Sequence, residues 1–178
     1  VSAWQYEIAT GEHTPYFTAE WDTSGISFSK SGKFQNTTTN EDGRFVVALT
    51  SLVSGKAIDL SALPEGGLRS PRFSRDESKL AILVTTDTSP RDIYTVDLAG
   101  GAANRLTVAL NPEIKESDLV GSEVVRYPSF DGLQIPAVLF KPHGASVDHK
   151  VAAVVLVHGG PGGQSRPGYS GSTQHLAN

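Results

Sequence analysis

His158-Gly159-Gly160-Pro161, preceded by Val154-Val155-Leu156-Val157 and followed by Gly162-Gly163, is the stretch of this 178-residue chain best suited to chemistry. Glycine lets a main chain approach a ligand closely. Backbone N–H groups aimed at one point from such a turn stabilise the oxyanion that forms when a nucleophile attacks a carbonyl. A tight turn without catalytic meaning is the plainer reading, and the apolar strand leading into the turn argues against it. Other candidates are weaker. Gly168-Tyr169-Ser170-Gly171-Ser172 begins like a nucleophile elbow, but its fifth position is Ser172 and a Pro-Gly loop precedes it where a strand is required. Ser170 is therefore read as a helix N-cap. His13, His143 and His149 have no metal-ligand spacing, Asp148-His149 reads as a solvated turn, and His175 as a surface or packing residue. No metal and no cofactor is expected.

Composition narrows the partners. Fifteen Lys and Arg against 19 Asp and Glu give a net charge of −4 and a pI near 5.7, without a basic stripe. Nucleic acid and anionic membranes are accordingly not expected as partners. The run Val151 to Val157 falls far short of the roughly 20 residues a bilayer span needs. Cysteine is absent, which excludes disulfides, thiol catalysis and thiolate metal sites. That absence fits a reducing compartment, and with no signal-peptide pattern the expected location is cytoplasmic. Position 1 is Val and there is no Met, so the expectation is that the start of the protein lies outside this sequence.

The elements that must position the turn fall into two kinds. Residues 1–111 carry a weak repeat: alternating runs close at Gly11, Gly55 and Gly101, spaced 44 and 46 residues apart, and Phe28 and Phe73 are 45 apart. A period near 45 built of short strands predicts β-propeller blades, about two and a half here. Leu80-Ala81-Ile82-Leu83-Val84 reads as a buried strand and Ile93 to Leu98 as an alternating outer one. Gln35-Asn36-Thr37-Thr38-Thr39 lacks apolar alternation, which predicts an irregular blade there. Residues 112–122 are charged and loop-like, marking a junction. Glu123 to Tyr127 and Leu133 to Phe140 flank Asp131-Gly132 as a hairpin. Pro136 lacks an N–H and places that hairpin at a sheet edge. After the polar loop from Lys141 to Lys150, Ala152 to Val157 is apolar without alternation, as in a parallel strand covered on both faces. Residues from Ser172 to Asn178 read as the start of a helix.

Asp118-Leu119-Val120, the segment Val124-Val125-Arg126-Tyr127-Pro128-Ser129-Phe130-Asp131-Gly132-Leu133-Gln134-Ile135-Pro136-Ala137 and the segment from His158 to Tyr169 closely resemble the prolyl oligopeptidase family of serine peptidases, in its acylaminoacyl-peptidase and dipeptidyl-peptidase-like branch. The resemblance is strong from Asp118 onward and looser before it. It implies all-β propeller blades followed by the N-terminal part of an α/β-hydrolase domain, residues 123–178. It also implies acyl transfer from short peptides by a Ser, a His and an Asp, with backbone amides holding the oxyanion. On that resemblance the amide of Gly160, or failing it Gly159, is the oxyanion donor, with His158 and Pro161 supporting the turn. His158 precedes any family nucleophile, whereas this fold orders Ser, Asp and then His, so it is not read as the base.

The expectation is thus a fragment of a serine peptidase, with nucleophile, acid and base downstream of Asn178 and no activity of its own. A non-catalytic propeller used for protein binding is the alternative from another class, and an esterase of the same fold is the third. Open blade edges and an unaccompanied parallel strand further predict that the remainder of the hydrolase domain, or another chain, is needed to complete the fold.

Overall fold

Alternation and turn chemistry organise the first hundred residues into antiparallel sheets. In the computed structural model, which describes residues 2–178, Ser2–Tyr6 (β1) and His13–Thr18 (β2) form a pair. Asp22–Phe28 (β3), Phe34–Glu41 (β4), Arg44–Ser51 (β5) and Ala57–Ile58 (β6) form a four-stranded sheet in chain order. Gly67–Phe73 (β7), Lys79–Thr85 (β8), Asp92–Asp97 (β9) and Ala103–Arg105 (β10) repeat that topology. These two meanders are the blades announced by the period.

The glycines that carry the period close matching turns. The amides of Gly11, Gly55 and Gly101 donate to the carbonyls of Glu7, Ser51 and Asp97 at 2.8 Å. The amides of those same three residues donate to Glu12, Lys56 and Ala102 at 2.9 Å. With φ of 75°, 70° and 72°, the three glycines occupy the left-handed region that a Cβ disfavours.

The core lies between the two meanders. Leu49, Leu80, Ile82, Val84 and Val96 are almost wholly buried, joined by Val47 and Leu63. Each such side chain contributes about 1.5–3 kcal/mol through removal from water. Phe34 at the start of β4 and Phe73 at the end of β7, in the next blade, stack with ring centroids 5.7 Å apart. On the same edge, Ser31 donates from its amide (2.7 Å) and its hydroxyl (2.5 Å) to Glu77, tying one blade turn to the next.

Two strand expectations need correction. Gln35 to Thr39 is a strand after all, the middle of β4, paired without a register shift along all of β5, while the irregularity lies on its other side, where the pairing with β3 shifts register between Thr23 and Gly25. Its Asn36, Thr37 and Thr39 are buried. Polar side chains are tolerated there because they find partners, as when Asn36 donates to Ser27 (2.7 Å) and Thr39 to Glu41 (2.6 Å). β9 is not an outer strand either; it is flanked by β8 and β10, and the edge is β10. Its first residue, Asp92, is buried and accepts from Ser89, Arg105, Thr107 and the Ala109 amide, which holds the segment after β10 against the blade.

Beyond Leu110 the chain runs through a short 3₁₀ turn at Glu116–Asp118 to Leu119 and Val120, which are buried. Ser122–Pro128 (β11) and Gln134–Phe140 (β12) pair antiparallel as a two-stranded hairpin, with Arg126 opposite Pro136. Val151 to Val157 departs from expectation. It joins no ladder among the described residues, and Val155 and Val157 are 83% and 86% exposed. The physical reason is a want of neighbours: β11 and β12 pair only with each other, and the blade sheets are remote in their pairing. Gly171–Ala177 (α1) follows, its N-cap Ser170 accepting from the Thr173 amide at 3.3 Å as expected.

Candidate oxyanion turn

Steric necessity explains two of the four glycines in the turn. Gly160 has φ of 127°, and a Cβ there would lie 2.8 Å from the Gly163 nitrogen and 3.1 Å from that of Gly162. A Cβ on Gly163 would sit 2.2 Å from the Gly159 carbonyl oxygen and 2.9 Å from His158 Nδ1. Gly159 and Gly162 face open space. The chain therefore curls so tightly over 159–163 that side chains are excluded on its inner side, which brings successive backbone groups to one place.

His158 contacts the turn itself. Its Nδ1 lies 3.1 Å from the Gly159 carbonyl, which accepts from it. His158, Gly159, Gly160 and Pro161 are all exposed. Among the described residues no backbone carbonyl accepts from the amide of Gly159 or Gly160. Both amides thus lie on an exposed turn without a backbone acceptor among the described residues.

The segment after the turn is fastened to the blades. Asp42 and Gly43 both have positive φ (46° and 85°), as in the tight hairpins that favour Asp-Gly, and they join β4 to β5. Onto this hairpin Gln164 and Arg166 dock. Asn40 donates to Gln164 at 2.9 Å, and Arg166 donates to Asn40 at 3.1 Å and to the Gly43 carbonyl at 3.2 Å. Arg126 of β11 reaches Asp42 at 2.5 Å. From α1, Gln174 accepts from the Val120 amide (2.9 Å) and donates to the carbonyls of Val120 (2.8 Å) and Asp87 (2.9 Å). Sequence reading singles out none of these anchors. They are lone polar residues whose partners lie 54 to 126 positions away, and only the Asp42-Gly43 dipeptide is a local signal.

The other candidates remain apart. Ser170 hydrogen-bonds to Ser172 (3.0 Å) and Thr173, with no His or carboxylate bonded to it among the described residues. His149 binds the Gly144 carbonyl at 2.8 Å within its own exposed loop, and His175 is exposed on α1. Among the described residues no group of three His, Cys, Asp or Glu could hold a metal ion. No described helix is long and apolar enough to cross a membrane.

Two adjacent four-stranded meanders, packed through their faces and closed by equivalent glycine turns, define consecutive blades of the β-propeller type. Solved structures agree. The chain is similar to a prolyl endopeptidase (19% identity, TM-score 0.61, covering 82% of this chain) and to a puromycin-hydrolysing peptidase of Mycobacterium tuberculosis (15%, 0.64, 79%). A puromycin hydrolase matches at 16% identity, TM-score 0.62 and 80% coverage. The chain spans about a fifth of the length of each, 22%. At such identities the likeness is one of fold: this chain is built as the β blades of these peptidases are. No protein-family model and no curated protein matches the sequence.

Proposed function

We propose that this chain is part of a serine peptidase of the prolyl oligopeptidase type, in the acylaminoacyl- or dipeptidyl-peptidase-like branch. The observation that carries the reading is the turn at 158–163, with its unengaged Gly159 and Gly160 amides. The shared fold of the peptidases named above supports it. In this reading residues 1–111 are propeller blades that restrict entry to short peptides, 112–122 are the junction, and 123–178 open the hydrolase domain. The exposed run from Val151 to Val157 becomes a central strand once parallel neighbours from the rest of that domain flank it.

The chemistry divides accordingly. A Ser supplied beyond Asn178 attacks the peptide carbonyl while a His takes its proton and an Asp orients that His. The Gly160 amide, or in its place that of Gly159, donates to the oxygen as it gains charge; the intermediate collapses as the C–N bond breaks and the His gives its proton to the departing amine, and water then hydrolyses the acyl-enzyme. One such donor is worth about 10²–10³ in rate. In the whole enzyme, Gly160→Ala puts a Cβ against the Gly163 nitrogen and tilts the amide. The expected result is a fall in kcat of about 10²–10³-fold with KM little changed. Gly162→Ala, which meets nothing within 4 Å, should have a far smaller effect. Equal kcat values for the two variants would remove the turn from the mechanism. Residues 1–178 alone should hydrolyse no peptide ester and should not react with a fluorophosphonate; stoichiometric labelling of Ser170 would sink the reading.

A further inference from the structure

A second site lies where the ends of the two blades meet the segment after the glycine turn. A half-open cleft of about 250 Å³ is walled there by Arg44 and Phe45 at the start of β5, Arg69 of β7, Arg91 just before β9, and Arg166 and Tyr169. No Asp or Glu lines it. In a chain of net charge −4, a cavity with four guanidinium groups and no lining acid is a concentrated exception.

One of the four is neutralised. Arg44 pairs with Asp87 at 3.1 Å. Arg69, Arg91 and Arg166 form no ion pair among the described residues. Two of these three are held close together, because both stack on one ring: the guanidinium carbon of Arg69 is 3.9 Å from the Phe45 centroid and that of Arg166 is 4.4 Å from it. Their guanidinium carbons therefore lie no more than about 8 Å apart, sharing an aromatic ring rather than a carboxylate. Arg166 is fixed further by Asn40 and Gly43. The crowding is felt: burial first, then the charges of Arg166 and Arg91, pull the Arg69 guanidinium below its ordinary value. Like charges pressed together by the fold lose that repulsion when an anion enters.

We propose that this cleft binds a carboxylate, using Arg69, Arg91 and Arg166 as its donors. Guanidinium groups present planar pairs of N–H donors that match a carboxylate's two oxygens. The volume exceeds that of a bare anion, and Phe45, Pro167 and the Gly43 and Gly168 backbone supply wall for carbon attached to the charge. The ligand class is thus a small organic acid or the free terminus of a short peptide. The inference rests on the cleft alone and stands or falls independently of the hydrolase reading.

Titration calorimetry on the 178-residue chain tests it with N-acetyl-dialanine, its C-terminal amide, acetate and inorganic phosphate. The free acid should bind at least tenfold more tightly than the amide, and its affinity should fall as salt rises. Acetate as strong as the peptide acid identifies a small acid as the natural class; a clear preference for the peptide acid identifies a peptide terminus. Arg91→Gln, at an exposed residue without an ion pair, should weaken binding at least fivefold with an unchanged circular dichroism spectrum. Arg69→Gln should do the same. Binding of acid and amide alike, retention of affinity in both variants, phosphate binding without carboxylate binding, or no binding at all would overturn the proposal.

Discussion

Asp92→Ala is expected to destabilise the fold by about 2–4 kcal/mol, because it removes a buried carboxylate shared by four donors, a hydrogen bond to a charged group being worth about 1.5–3 kcal/mol. A small domain's whole stability is about 5–15 kcal/mol, so the variant should approach the edge of folding. Asp92 is 1% exposed and collects four donors: Arg105 at 2.5 Å, Thr107 at 2.6 Å, the Ala109 amide at 3.0 Å and Ser89 at 3.2 Å. Without the carboxylate, Arg105 loses its ion-pair partner, the Ser89, Thr107 and Ala109 donors lose their acceptor, and the segment from Arg105 to Ala109 loses its tether. Urea denaturation checks the magnitude; a loss below about 1 kcal/mol, the level of an exposed pair, would show that the network contributes little.

The same carboxylate gives a pH signature. Burial acts to raise the Asp92 pKa, but hydrogen bonds from Thr107 and Arg105, the Arg105 charge and the Ala109 amide outweigh it, leaving the group below its ordinary value of 3.8. A carboxylate lowered in the folded state contributes stability that is fully present above the unfolded value. That contribution is lost as pH falls from about 3.8 through the folded value. Asp92→Asn should therefore be less stable than the parent at neutral pH, with the gap narrowing below pH 4. Exposed carboxylates such as Asp76, held down to about 2 first by Ser74 and then by Ser78, titrate in both proteins and cancel in the difference. A constant gap from pH 7 to pH 2 would contradict the assignment.

Gln174→Ala is expected to cost about 2–4 kcal/mol, because it strands the buried Val120 amide and carbonyl, each worth about 1–3 kcal/mol when unsatisfied. Gln174 is 3% exposed and is the side chain that joins α1 to the junction and to the Asp87 carbonyl. Hydrogen exchange gives the sharper readout. The Val120 amide should lose its protection and α1 should exchange freely, while Leu80 and Ile82 in β8 keep theirs. Unaltered Val120 exchange would mean that α1 is held by something other than this contact. The consequence reaches function, since α1 and the 164–170 segment hold the chain that emerges from the glycine turn.

The repeat was legible because its signals are local. Gly11, Gly55 and Gly101 each set a left-handed turn within five residues of chain, so their spacing alone discloses the blades. The hairpin of β11 and β12 and the cap at Ser170 are local in the same sense. β4 was misread because apolar alternation is a proxy for burial. Asn36 and Thr39 are buried by virtue of hydrogen-bond partners that no pattern displays. Val151 to Val157 shows the opposite failure, a run whose composition announces a buried strand but whose burial depends on neighbours that no described residue supplies.

By itself the sequence determined the class of architecture and the glycine turn at 158–163, because glycine placement and strand periodicity act over a few residues. Only the tertiary structure decided that Gly160 and Gly163 admit no Cβ, that Gln164 and Arg166 dock on the Asp42-Gly43 hairpin, and that Arg69, Arg91 and Arg166 converge on one cleft. Those outcomes depend on approach between residues up to 126 positions apart, and contact at that range is set by packing, which leaves no periodic trace in the chain.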